Sequence, residues 1–414
     1  MMVKSYRHQW RVLFILFITW GFTGLARNSI AFLFPYFSLE FNLGAEHNGY
    51  LAATVAFFWA LAIIFLGDLA GRIGQPKVMV PGMCVGAAAL VLFGLSHHVV
   101  LLYLLAAVFG FGCGSMCSPS ISMIAEQSNP KNRGMFLGIM ESGFSLIGSA
   151  LGAIVITRIG AGLGWRGCYI LIAILVALTA LSVFVGLWRV PRQVEMREKT
   201  AEQDQKHSFK ELAAYRNIVI TTILTCIAMM WYFTVAAFAI IYLMDGKGFS
   251  TIAAGAIFSG YGLGGFCGEV VIPTLSDRLG RKGTVLLCTI IGMVSFAAFL
   301  LLDLPALALT VCLFLASLFF SGLVPLLNSV IPSEAVPQEL VPTAISFTPA
   351  VGELFGGVLS PALAGVLAGL MGITNVMYVL LFVPIILLAG GLLLEETAPL
   401  VLAKRGQSAA AKTG

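Results

Sequence analysis

Charge is what this chain has least of. Of its 414 residues only 10% are Asp, Glu, Lys or Arg, against 59% hydrophobic and a mean hydropathy of +0.97; an ordinary soluble domain carries about 25% charged residues. That deficit excludes a soluble enzyme, a disordered chain and a nucleic-acid binder, and it calls for lipid as the solvent. A disulfide framework is missing too. All eight cysteines (Cys84, Cys113, Cys117, Cys168, Cys226, Cys267, Cys288 and Cys312) lie inside apolar stretches, where a thiol packs as a small hydrophobe. Cys113 and Cys117 share a helical face, but no histidine or second cysteine pair lies near them in sequence to complete a metal site. Neither metal nor other cofactor is expected. No nucleophile–base constellation or phosphate-binding loop occurs, which argues against an enzyme.

What is present is a succession of apolar runs of membrane-spanning length. They read as twelve helices near 12–38, 48–67, 78–96, 100–123, 134–158, 167–188, 217–243, 251–273, 284–302, 306–329, 342–367 and 374–394. With the N-terminus placed inside, 20 of the 24 Lys and Arg fall on the inner side, and only Arg158, Arg166 and Lys247 fall outside. Because Lys and Arg in short loops set orientation, both termini are expected to be cytoplasmic. Residues 189–216 hold 12 of the 43 charges and read as a solvated linker. The expected organisation is a six-helix bundle over 1–188, the linker, a second bundle over 217–394 and a cytoplasmic tail over 395–414. Short outer loops and the lack of any Asn-x-Ser/Thr acceptor suit a bacterial inner membrane.

The two halves carry a repeat. The turn Gly67-Asp-Leu-Ala-Gly-Arg72-Ile-Gly74 returns as Pro273-Thr-Leu-Ser-Asp277-Arg278-Leu-Gly280-Arg281-Lys282, an offset of 206. Glu141, Ser145, Gly148 and Gly152 return as Glu353, Gly357, Ser360 and Ala364, an offset of 212. These turns resemble the signature loop of the major facilitator superfamily, and the resemblance extends over the whole chain through twelve helices, the six-plus-six split and the duplicated turn. The first copy departs from the pattern: Gly71 stands where the family has aspartate, with Asp68 three residues earlier as the nearest substitute. The resemblance implies an all-α fold of two bundles, a monomer, alternating access around a midplane site, and an inner gate formed by Asp68, Arg72, Asp277, Arg278 and Arg281. Without the resemblance, the same charges read as topology anchors.

Four charges lie within spans: Arg27, Glu141, Glu269 and Glu353. Each costs about 2.5–3.5 kcal/mol at a helix centre, so such residues face a bundle interior, pair with one another or line a pathway. Arg27 stands roughly 22 Å from the inner end of its helix, on a face with Trp20, Thr23, Gly24 and Ala31. Its planar fork suits a carboxylate or phosphate. The run from Arg27 and Asn28 to Pro35 resembles helix 1 of the anion:cation symporter and organophosphate transporter branches, where an arginine here binds the substrate anion. Organophosphate carriers add a second arginine from helix 7, and 217–243 has none, so a singly charged carboxylate is favoured.

Glu141, Glu353 and Glu269 are the candidate proton sites, with Glu141 expected to pair with Arg27. Among aromatics, Tyr261 in its glycine-rich run, Trp231, Tyr232 and Phe58 are candidate substrate contacts beside Arg27, Asn28 and Trp20. Proton-coupled symport of a small organic anion follows as the expected function. The alternative is a proton-coupled antiporter exporting drugs or lipophilic cations. The family's antiporters carry an arginine where this chain has Ala106, and a Gly-Pro-x-x-Gly-Gly run where it reads Gly148-Ser-Ala-Leu-Gly152-Ala.

Overall fold

The computed structural model describes residues 6–127, 133–188, 209–337, 340–398 and 401–402. Among them there is no β-strand, and eleven helices are long and apolar enough to cross a membrane. These are α1 His8–Phe41, α2 Ala45–Ile73, α3 Gln75–Gly94, α4 Val99–Gln127, α5 Met135–Leu187, α6 Arg216–Gly246, α7 Thr251–Leu279, α8 Arg281–Leu301, α9 Ala306–Ala335, α10 Thr343–Met371 and α11 Ile373–Leu393. Residues 189–208 of the expected linker, and the tail beyond 402, lie outside the described residues.

The expected fifth and sixth spans are continuous in α5, whose 53 residues would extend about 80 Å if straight, against a hydrocarbon core of about 30 Å. They are not straight. Gly164 has φ 71° and ψ 165°, a conformation that side chains bearing a Cβ avoid and glycine adopts freely. The chain doubles back there. Before the bend, Gly160 packs on the Tyr36 ring near the far end of α1; after it, the carbonyl of Gly186 accepts a hydrogen bond from Arg11 at the start of α1, 2.8 Å.

Within the first half, α1 packs along the first limb of α5, and α3 packs on α4 and on the second limb. In the second half α7 and α9 make the most extensive helix pair. Their axes are drawn together because Gly260, Gly264 and Gly268 present backbone, not side chain, to Thr310, Phe314 and Leu318. Small residues at such seams replace the hydrophobic drive that lipid cannot supply. Large aliphatics point the other way, as with Leu307 and Leu370, 77% and 78% exposed.

The repeat survives in the backbone. Gly74 and Gly280, 206 residues apart, both take positive φ (109° and 89°), and each N–H caps the preceding helix on the carbonyl four residues earlier, Ala70 and Ser276, at 3.0 Å. Asn42 and Gly248, again 206 apart, take φ 52° and 73°.

The halves meet along α2–α10, α5–α7 and α1–α6. Gly49 lies on the backbone of Pro361 and Gly365, and Gly262 on that of Ala150. The Asn48 side-chain amide donates to the carbonyl of Ala237 at 2.6 Å.

A methyl group on Gly264 would collide with the Phe314 carbonyl, whereas one on Gly138 would meet nothing within 4 Å. Gly264→Ala is therefore expected to destabilise the protein by about 1–3 kcal/mol through overpacking, and Gly138→Ala to leave it unchanged. Thermal unfolding of the two variants in detergent checks both.

Candidate functional site

Arg27 reaches out of α1 toward the second half of the chain. Its Nη2 donates to Glu353 Oε1 at 2.5 Å, and the two side chains are 10% and 17% exposed. The guanidinium carbon lies 4.5 Å from the centre of the Phe233 ring in α6 and 5.2 Å from that of Trp59 in α2. A cation between rings gains from their quadrupoles, more so away from water. The charge is thus balanced by one carboxylate and covered by two aromatic faces, the solution available to an arginine that lipid would not accept. Glu353 opens a π-helical turn, Glu353–Leu359, and the repeat-related stretch of α5 widens likewise over Phe144–Leu151. Such turns recur at functional sites.

A small pocket opens beside the pair. Its walls come from α1 (Arg27, Asn28, Ile30, Ala31), α2 (Ala52), α6 (Phe233, Ala236, Ala237) and α10 (Gly357, Pro361). Asn28 donates its amide to Ser149 Oγ at 3.0 Å, which fixes that side chain against α5. Among the described residues Arg27 makes one hydrogen bond, through Nη2, so the rest of its fork is available to an anion in the pocket.

The expected partner of Arg27 was Glu141, and this is corrected: the guanidinium pairs with Glu353. The two helices are parallel, with Gly143 of α5 level with Phe17 of α1 and Gly152 level with Leu25. Glu141 therefore lies toward the start of α1 relative to Arg27. Glu141 is exposed, and among the described residues no hydrogen bond or ion pair reaches it. Glu269 instead bridges the halves, accepting from Ser145 Oγ of α5 at 2.8 Å.

Of the aromatic candidates, Tyr232 faces the seam between the halves, within electrostatic reach of Arg27, Glu269 and Ser145. Trp231 is fully buried in the second half, 4.6 Å from Phe320 and 5.3 Å from Phe296. Tyr261 donates its hydroxyl to the Tyr232 carbonyl at 2.9 Å, and the two rings lie 5.5 Å apart. Trp20 donates to Ser120 at 2.9 Å inside the first half, and Phe58 packs edge-on against the outward-facing Phe57. None of these five lines the pocket. Trp59 and Phe233, which do surround the guanidinium, carry no polar motif to single them out. One signal was available: Phe233 follows Arg27 by 206 residues, the repeat offset, so the two are counterparts that meet near the axis relating the halves.

The family model for the Major Facilitator Superfamily matches residues 16–354. The chain belongs to that superfamily. It is 23% identical over 397 residues to a probable 4-methylmuconolactone transporter of Cupriavidus pinatubonensis, covering 94% of this chain and 91% of that protein. A gentisate transporter of Corynebacterium glutamicum is 25% identical over 338 residues, covering 79% and 74%. Multidrug resistance protein 2 of Bacillus subtilis is 25% identical over 401 residues, covering 94% and 96%. Among solved structures, an inward-facing, unoccupied bacterial homologue of the human lysosomal transporter Spinster superposes with a TM-score of 0.77 at 16% identity, covering 94% and 97%. As a superfamily member the chain is a transporter and not an enzyme.

The second copy of the signature turn is built around Arg281. Arg281, 4% exposed, holds Asp277 at 2.6 Å and Glu334 at 2.7 Å and donates to Ser276 Oγ. Its backbone N–H donates to Glu396 at 2.7 Å. Asp277, Glu334 and Ser276 belong to the second half and Glu396 to the segment that follows it, so among the described residues the contacts of Arg281 stay on that side. Arg278 and Arg72 are exposed at their helix ends; the side chain of Asp68 lies outside the described residues.

Removing one member of a buried pair strands the other charge, at about 3–5 kcal/mol. Glu353→Leu and Arg27→Met are each expected to lower the thermal stability of the detergent-purified protein sharply. The double variant Arg27→Met/Glu353→Leu should recover most of the loss, which a double-mutant cycle measures directly.

Proposed function

We propose that this superfamily member is a secondary active transporter that moves a small organic carboxylate together with protons by alternating access. The observation that carries the proposal is the Arg27–Glu353 pair, one charge from each half, beside a pocket between the halves. A substrate carboxylate and Glu353 compete for the same guanidinium. When Glu353 takes up a proton it becomes neutral and releases Arg27, whose fork then binds the incoming anion. Proton uptake and substrate binding are thereby linked at one guanidinium. Arg27 cannot lose its own charge, so it always requires an anion, and exchanging Glu353 for substrate links the proton to the transported molecule. Glu269, hydrogen-bonded across the halves to Ser145, and the exposed Glu141 are further proton-relay positions in this scheme.

The names of two relatives, 4-methylmuconolactone and gentisate transporters, support an organic-acid cargo. In the same reading α5 crosses twice to give twelve passes, both ends are cytoplasmic, and the protein works as a monomer in a bacterial inner membrane. The closed Arg281 cluster, with Asp277 and the exposed Arg278, forms the C-terminal side of the inner gate, and Arg72 with Asp68 the N-terminal side. The multidrug-resistance relative favours a second reading, proton-driven export of lipophilic cations.

Proteoliposomes holding a trapped pH dye separate the two. Acidification of the lumen on adding an organic acid is the expected result, whereas alkalinisation as a cation enters establishes antiport and sets the proposal aside. Arg27→Lys keeps the charge but not the fork, and is expected to weaken acid uptake at least tenfold. Glu353→Gln should abolish the response to an imposed pH gradient while preserving counterflow exchange.

A further inference from the structure

From the walls of this pocket we infer the kind of carboxylate it takes: an apolar, ring-bearing monocarboxylate, with Phe233 as the residue that selects the ring. The inference rests on Arg27 being the anion site and narrows what lies behind the carboxylate. Beyond the guanidinium and Asn28 the wall is apolar, with Ile30, Pro361 and Phe233 beside residues no larger than alanine. Ala31, Ala52, Ala236, Ala237 and Gly357 present nothing larger than a methyl group. Asn28, the other polar side chain on the wall, has one amide N–H committed to Ser149.

A polyol acid such as gluconate brings five hydroxyls, each of which leaves water to meet methyl groups. Every unpartnered hydroxyl costs roughly tenfold or more in affinity. A second carboxylate fares worse, since Arg27 is the lone cation on the wall and a buried charge without a partner is heavily penalised. A flat hydrocarbon ring suffers neither cost. The Phe233 ring, held in place by its contact with Arg27 at 4.5 Å, provides an aromatic surface for it to pack against.

The test is proton-driven uptake of radiolabelled benzoate, cyclohexanecarboxylate, gluconate and succinate into proteoliposomes. Benzoate and cyclohexanecarboxylate are expected to be taken up, each at least tenfold better than gluconate or succinate. Phe233→Leu keeps apolar volume and removes the ring. It should weaken benzoate about three- to tenfold, the scale of a lost ring–ring contact, and spare cyclohexanecarboxylate. Gluconate or succinate transported as well as benzoate overturns the inference while leaving Arg27 as the anion site. Equal losses for benzoate and cyclohexanecarboxylate in Phe233→Leu overturn the role of the ring. If no acid moves but tetraphenylphosphonium does, the carboxylate reading itself falls.

Discussion

An arginine cannot be left in hydrocarbon, and much of the centre of this protein follows from that constraint. Arg27 keeps its charge at any pH the cell meets, so α1 is obliged to present it to something other than lipid. The chain's answer is a carboxylate from α10 and two aromatic faces from α2 and α6. Those partners come from both halves. The pair therefore belongs to the interface, and any motion that separates the halves must find Arg27 another anion.

The close approach of helices on which that interface depends is a matter of absent side chains. Where α2 meets α10, and α5 meets α7, glycine backbone lies on backbone. Seams of this kind pack tightly yet hold few directional bonds, the Asn48–Ala237 and Ser145–Glu269 hydrogen bonds being two of them. By contrast, Arg281 is enclosed by four partners from the second half and the segment that follows it. The contacts of Arg281 inside the second half are dense and charged, while the seams between the halves pack backbone on backbone around the Arg27–Glu353 pair. That distribution suits rigid bodies that rock against each other.

Much of this was legible in the chain. Helix positions followed from apolar runs, because lipid imposes a length that sequence must match. The repeat could be read from two offsets and reappears in paired backbone conformations at Gly74 and Gly280. Arg27 stood out because a lone charge in an apolar run has few explanations. The bend at Gly164 was anticipated as a break between two spans.

What could not be read was which partner each charged group would meet. Glu141 and Glu353 are repeat equivalents with similar neighbours in sequence, yet one meets Arg27 and the other stands exposed. Local pattern describes a helix and its faces, but the level at which two helices slide past each other is decided by packing. Aromatic residues pose the same difficulty. Trp231 and Tyr261 looked like contacts and are core of the second half, while Trp59 and Phe233 form the walls around the guanidinium. Sequence alone determined that the chain spans a membrane, that it is duplicated and that it buries an arginine. Only tertiary structure decided what that arginine holds, because helix register and the apposition of the two halves are properties of the packed bundle and of no single helix.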